Sequence, residues 1–247
     1  MYFANYQDMI DELERRNLPS ETFCFAPYIT TDLDQDGSVL TCYRGKTRLG
    51  SWKEQPFDES FNGEKMKQIR SDLFHGIKND NCRSCYKAEK NGSVSPRMNF
   101  FADYMNGFYG DFLPDDLINK IARNEKKGDI KYIARAEIRP SSLCNQRCMH
   151  CGPHSSTKWI ETLSDQNNFE LYAENKGLLQ NGLGPVDHDS LNHKNMVSYY
   201  KSSITSDTKY KEDILNLLDS SKEVNFTGGE PLLTPEHIEY LNHFVNV

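Results

Sequence analysis

The chain has 247 residues, of which 37% are hydrophobic and 26% charged, and it carries a formal net charge of −7. That length allows one large domain or two ordinary ones, each able to bury a core. The acidic balance argues against nucleic acid as a partner, and no run of about 18 apolar residues predicts a membrane span. The start, MYFANYQDMIDELERRN, is acidic and amphipathic and lacks the basic head and apolar run of a secretory signal. Seven cysteines, an odd number, then point to reduced thiolates in the cytoplasm, with metal ligation as their leading use.

In chain order, residues 5–17 read as a helix stopped by Pro19. FCFAPYITT (23–31) and SVLTCYR (38–44) read as strands around the turn DLDQDG. Met66, Ile69, Leu73 and Ile77 recur at helical spacing in 62–77, and two more helical patterns cover roughly 97–107 and 115–127. KKGD (126–129) marks a domain boundary. IKYIARAEIRP (130–140) is a predicted strand ended by Pro140, followed by a helix at 155–163. The stretch from about 165 to 207 is polar and weakly periodic, as in a long insertion or lid. A helix at 210–221, a strand breaking into a Gly-Gly turn within 222–233, and a last helix capped by Thr234 with Pro235 at its first position complete the series. From residue 130 the order strand, helix, strand, helix is that of a parallel α/β sheet.

Two features carry chemistry. Cys144-x3-Cys148-x2-Cys151 lies on the loop after the strand at 130–140. Three thiolates complete neither a structural zinc site nor an all-cysteine iron–sulfur cluster, so one metal corner stays open. Buried free cysteines, or zinc with a distant fourth ligand such as His150 or His154, are the plain alternatives. The second feature is FTGGEP (226–231), where two glycines permit close backbone approach and Glu230 offers a carboxylate to an amine. Alone, that segment reads as a tight turn.

Together these residues resemble the radical S-adenosylmethionine (radical SAM) superfamily. There, CxxxCxxC binds a [4Fe-4S] cluster through three irons, and the amino and carboxylate groups of S-adenosylmethionine chelate the fourth. By the resemblance, Cys144, Cys148 and Cys151 are the cluster ligands. His150 takes the position before the last cysteine, usually aromatic, whose backbone contacts adenine. Gly228, Gly229 and Glu230 match the motif that holds the methionine amino group, with Pro231 following.

The other four cysteines run Cys24-x12-Gly37-x4-Cys42, then Cys82-x2-Cys85. This reads as a hairpin with one thiolate per strand plus a tight CxxC at a helix start, four convergent ligands with no open corner. A structural zinc ion fits the same ligands. The spacing resembles the twitch form of the SPASM-type auxiliary domain, which holds an additional iron–sulfur cluster and often accompanies radical SAM cores. The further cysteines of a full SPASM domain are absent, with Asn91 standing six residues after Cys85, and the module precedes the three-cysteine loop instead of following it.

The resemblance implies an α/β fold class: the start of a parallel (β/α) partial TIM barrel, an incomplete radical SAM core over 129–247, preceded by a small α+β twitch-like domain over 1–128. It implies an enzyme that reductively cleaves S-adenosylmethionine to a 5′-deoxyadenosyl radical. That radical takes hydrogen from a substrate, with a peptide or protein as the substrate class. A reducing donor such as flavodoxin or ferredoxin is the implied partner. A six-unit partial barrel needs something near 190 residues, and only two strands are read between 130 and Val247, so a fragment of a longer enzyme is expected. The reading from another class is a non-catalytic binding module stabilised by zinc or a cluster.

Several features read as ordinary structure. Asp32, Asp34, Asp36 and Gly37 start a calcium-loop pattern, but its twelfth position is Tyr43, so a hairpin turn is expected. His188, His193, His237 and His243 read as surface histidines, and Trp52 and Trp159 as packing residues; Arg139 can reach a carboxylate or cap the strand end, with the cap as the preferred reading. The aromatic run 100–112 reads as core.

Overall fold

Asn5 opens the first helix, α1 (Tyr6–Arg15), by accepting the Asp8 N–H on its side chain at 3.0 Å. Asp8 in the first turn and Arg15 in the last both complement the helix dipole. This computed structural model describes residues 5–110, 117–122, 133–149, 151–152, 155–163, 168 and 208–246. His150, the KKGD boundary and, apart from residue 168, the polar stretch 165–207 therefore lie outside the described residues.

The apolar run at 23–31 does not form one strand. It splits into a one-turn helix, α2 (Ala26–Ile29), and a strand, β1 (Thr30–Leu33). Pro27, near the start of α2, has its φ preset for a first helical turn and no N–H to lend to a sheet. β1 pairs antiparallel with β2 (Ser38–Cys42), placing Asp32 opposite Leu40 and Leu33 opposite Val39. The acidic turn between them is a hairpin turn, with Gly37 at φ 92 donating to the Asp34 carbonyl at 2.9 Å. A third strand, β3 (Gly45–Ser51), pairs antiparallel with β2 across a tight turn. Nothing in GKTRLGS announces it, because two glycines and two basic residues dilute any apolar alternation.

The helices α3 (Phe57–Phe61) and α4 (Glu64–Phe74) follow. Met66, Ile69 and Leu73 are buried on α4, but the helix stops before Ile77, which is 55% exposed beyond Gly76 at φ 76. Next come α5 (Arg83–Lys90), α6 (Pro96–Met105), which Ser95 caps through the Met98 N–H, and α7 (Leu117–Ala122). Phe100 and Phe101 are buried, and Phe25 stacks on Tyr104 with ring centres 4.4 Å apart.

The second half supplies β4 (Arg135–Ile138), α8 (Thr157–Thr162), α9 (Thr208–Asp219), β5 (Glu223–Phe226) and α10 (Pro235–Asn246). The described strands form one open sheet, ordered β3-β2-β1-β4-β5. Bonds from Glu223 N–H to the Ala134 carbonyl and from Thr227 N–H to the Ile138 carbonyl advance the same way along both chains, as in a parallel pair. The sheet is therefore mixed, with β3 and β5 at its edges.

Contacts divide the chain into two units. The first comprises Met1–Leu33, Ser38–Glu137 and Asn216–Asn225; the second comprises Asp34–Gly37, Ile138–Leu215 and Phe226–Val247. Phe25, Ile29, Val39, Trp52, Phe61 and Met66 are at most 2% exposed in the first, and Ile138, Ile214 and Tyr240 are fully buried in the second. No helix among the described residues is long and apolar enough to cross a membrane.

Candidate metal centres

The first unit brings together four thiols from four pieces of chain. Cys24 precedes α2, Cys42 ends β2, Cys82 ends a 3-10 turn (Asp80–Cys82), and Cys85 lies in the first turn of α5. None of the seven cysteines forms a disulfide. Burial pushes the Cys24 thiol well above its ordinary 9.0, Cys42 to about 11 and Cys82 to about 12, and it raises Cys85 as well. The thiols also act on one another: charge on Cys82 and Cys42 opposes ionising Cys24, and charge on Cys42 and Cys85 opposes ionising Cys82. Groups this close and this dry become thiolates together only around positive charge.

Against that burial penalty, nearby donors favour the anion. Ala26 N–H donates to Cys24 Sγ at 3.4 Å and Gly45 N–H to Cys42 Sγ at 3.1 Å. The Arg97 backbone N–H favours the Cys85 thiolate, and the Tyr86 side chain favours that of Cys82. The Tyr86 hydroxyl is buried and closes no hydrogen bond of full geometry among the described residues, so it is placed to serve a ligated sulfur. No three His, Cys, Asp or Glu side chains among the described residues meet tightly enough to hold one metal ion. Four cysteines from four pieces of chain, two of them with backbone N–H donors on sulfur, are a donor set of the kind that holds a metal or an iron–sulfur cluster.

Two polar clusters hold this arrangement. Asn81 accepts the Thr47 N–H at 2.9 Å and donates to Thr41 Oγ1 at 2.7 Å, tying the CxxC turn to the β2–β3 hairpin that presents Cys42. A Cβ on Gly45 would stand 2.0 Å from Thr41 Oγ1, which explains glycine there. Beside α5, Arg97 and Glu89 pair with side chains only 2% and 5% exposed. Arg97 Nε and Nη2 reach the two Glu89 oxygens at 2.9 and 2.5 Å, and Nη1 donates to the Ser20 and Phe23 carbonyls at 2.8 and 3.0 Å. Ser95 Oγ adds a bond to Glu89 at 2.5 Å. Neither cluster was visible in the sequence, where Asn79 and Asn81 signal only a turn and Arg97 only an ordinary charge.

In the second unit, Cys144, Cys148 and Cys151 sit, partly exposed, on the loop that follows β4. Leu143 and Met149 are 43% and 87% exposed, so the loop presents an open side to solvent. Burial and the charges of Cys148 and Cys144 raise the Cys151 thiol, which places the three sulfurs within electrostatic reach of each other. Gln146 N–H donates to Cys144 Sγ at 3.4 Å. The start of α8 fastens the loop. The Thr157 hydroxyl accepts from Cys144 N–H at 3.1 Å and donates to its carbonyl at 3.0 Å, while Ser156 Oγ donates to the Gln146 carbonyl at 2.6 Å. Trp159 is more than a packing residue: its Nε1–H donates to the Cys148 carbonyl at 3.2 Å.

The Gly-Gly turn lies against this same loop. Gly229 N–H donates to the Ser141 carbonyl at 3.1 Å and Glu230 N–H to the Leu143 carbonyl at 2.7 Å, continuing the β4–β5 ladder beyond both strands. A Cβ on Gly228, at φ 124, would stand 2.3 Å from the Ser141 oxygen, and one on Gly229 only 2.0 Å from that of Leu143. Both glycines are required by the backbone of the cysteine loop, whatever else approaches them. The Glu230 side chain accepts the Leu232 N–H at 3.4 Å, capping the 3-10 turn Pro231–Leu233. Arg139 Nη1 lies 3.7 Å from the buried Asp34 carboxylate, so it does more than cap β4. His237 is not a surface histidine: it is 3% exposed, packs on Phe226 with ring centres 4.4 Å apart, and has its pKa lowered by burial against the opposing pull of Glu230.

Comparison with known families agrees with one of the two centres. No curated protein and no solved structure matches the chain. Residues 24–86 match SPASM, an iron–sulfur cluster-binding domain found in radical SAM enzymes, and the match runs from Cys24 to one residue past Cys85, enclosing all four cysteines of the first unit.

Proposed function

We propose that the chain is a radical SAM protein, or part of one, in which Cys24, Cys42, Cys82 and Cys85 hold an auxiliary iron–sulfur cluster. In this reading Cys144, Cys148 and Cys151 hold the [4Fe-4S] cluster at which S-adenosylmethionine is reductively cleaved, and residues from about 129 begin a partial-barrel core. The observation that carries the auxiliary site is the SPASM match laid over four free cysteines, two buried and two partly buried. For the second site, the support is the hydrogen-bonded seam between Ser141–Leu143 and Gly229–Glu230, which sets the three-cysteine loop and the glycine turn side by side.

When bound, the open-cornered cluster supplies the electron and the coordination site for S-adenosylmethionine. The residues named here do the rest. Trp159 and Thr157 fix the loop, Gly228 and Gly229 keep its backbone seam closed, and the partly exposed Glu230 carboxylate is available to an ammonium group beside it. A peptide or protein substrate and a flavodoxin- or ferredoxin-type donor complete the proposal.

Anaerobic reconstitution with iron and sulfide, followed by metal analysis and an absorption spectrum, tests it. About eight irons per chain with broad charge-transfer absorption are expected for two cubane clusters. Stoichiometric zinc without colour would replace this reading with a zinc-stabilised binding module.

A further inference from the structure

We propose that Arg97, clamped by Glu89, is the fixed positive charge that sets the reduction potential of the four-cysteine centre; this rests on the cluster reading of Cys24, Cys42, Cys82 and Cys85. The guanidinium spends four hydrogen bonds on Glu89, Ser20 and Phe23. Its donors are turned to oxygen, so it acts on the sulfurs through charge and position and not by bonding to them.

That position is tied to the ligands on two sides. The Phe23 carbonyl belongs to the residue before Cys24, and Glu89 stands one helical turn after Cys85 on α5. The backbone N–H of Arg97 also favours the Cys85 thiolate. One residue thus fastens the segment bearing Cys24 to the helix bearing Cys85 and holds its charge beside both. In agreement, burial raises the Cys24, Cys82 and Cys85 thiols while the Arg97 charge works against that rise, and Glu89 adds to it at Cys85.

Stability alone does not account for the pair. A buried ion pair is often no more stable than apolar residues of the same volume, because both charges must leave water. Beside a redox centre the same pair has a signed effect. One added electron makes the centre more negative by one charge, and a neighbouring cation favours that reduced state. A neighbouring carboxylate opposes it. Net charge and hydrogen bonding around the sulfurs are the levers by which a protein sets such potentials.

The test uses the full chain carrying Cys148→Ala, so that only the first centre is read, reconstituted anaerobically and titrated with a mediated reductant. Iron content and midpoint potential are measured for this parent and with Arg97→Lys, Arg97→Gln or Glu89→Gln added. Arg97→Gln should lower the midpoint, Glu89→Gln should raise it, and Arg97→Lys should stay near the parent, with iron retained. If Arg97→Gln fails to keep its iron, the direction of the Glu89→Gln shift decides. Unchanged midpoints in iron-loaded variants, shifts of one sign in both, or loss of iron from Arg97→Lys and Glu89→Gln alike would make the pair a structural strap and overturn the proposal. A parent that takes up no iron would instead remove the cluster reading itself.

Discussion

Gly229 has no room for a side chain, because a Cβ there would stand 2.0 Å from the Leu143 oxygen and 2.5 Å from its carbonyl carbon. Backbone cannot swing aside as a flexible side chain can, so Gly229→Ala must push the cysteine loop away and strain the 2.7 Å bond from Glu230 N–H to that carbonyl. Forcing an extra methyl into a packed site costs typically 1–3 kcal/mol. Gly229→Ala is therefore expected to destabilise the chain by about that amount before any ligand is added, measured as a shift in the denaturant midpoint. A variant as stable as the parent, yet defective in binding S-adenosylmethionine, would mean that the glycine serves the ligand alone. Trp159 makes a similar point: its apolar bulk suggested packing, while its one polar atom ties down the Cys148 carbonyl.

At the scale of elements, β5, the 3-10 turn after it and α10 form a short assembly around His237. The ring is buried against Phe226, and burial holds its pKa below the ordinary 6.5. The fold accommodates the neutral imidazole. A base with a depressed folded pKa contributes stability that is fully present above 6.5 and is lost as pH falls through the lowered folded value. The chain should thus unfold at progressively lower denaturant as pH falls below about 6.5, and His237→Phe should flatten that part of the profile. Identical slopes in parent and variant would show that His237 is not the titrating group. The first half of the chain shows how an element forms against its own sequence pattern. Pro27 converts part of an apolar run into a helical turn, and this lets Cys24 sit before α2 with its sulfur facing the Ala26 N–H.

For the whole molecule, the division into two units separates the cysteine sets, four in one and three in the other. Metal binding to a set that the unfolded chain does not preform is folding energy for the unit that owns it. Cys85→Ala in the reconstituted chain should therefore lower hydrogen-exchange protection across residues 24–86 and spare 155–163 and 235–246. Cys148→Ala should do the reverse. Equal loss in both regions from either change would show that the two centres stabilise the chain as one.

The sequence by itself determined the cysteine pattern, three at CxxxCxxC spacing and four more in two pairs, together with a Gly-Gly-Glu turn behind a strand and the principal helices α1, α4, α6, α9 and α10. These are legible because ligand spacing and helical periodicity are local properties of a chain. Tertiary structure alone decided the third strand, the sheet order, and the partners that hold each centre. Arg97 meets Phe23, Asn81 meets Thr41, and Glu230 meets Leu143 across 74, 40 and 87 positions respectively. No local pattern records such pairs. They form only when the folded backbone brings a buried donor to an acceptor it would otherwise leave unsatisfied, and that cost falls on the fold as a whole.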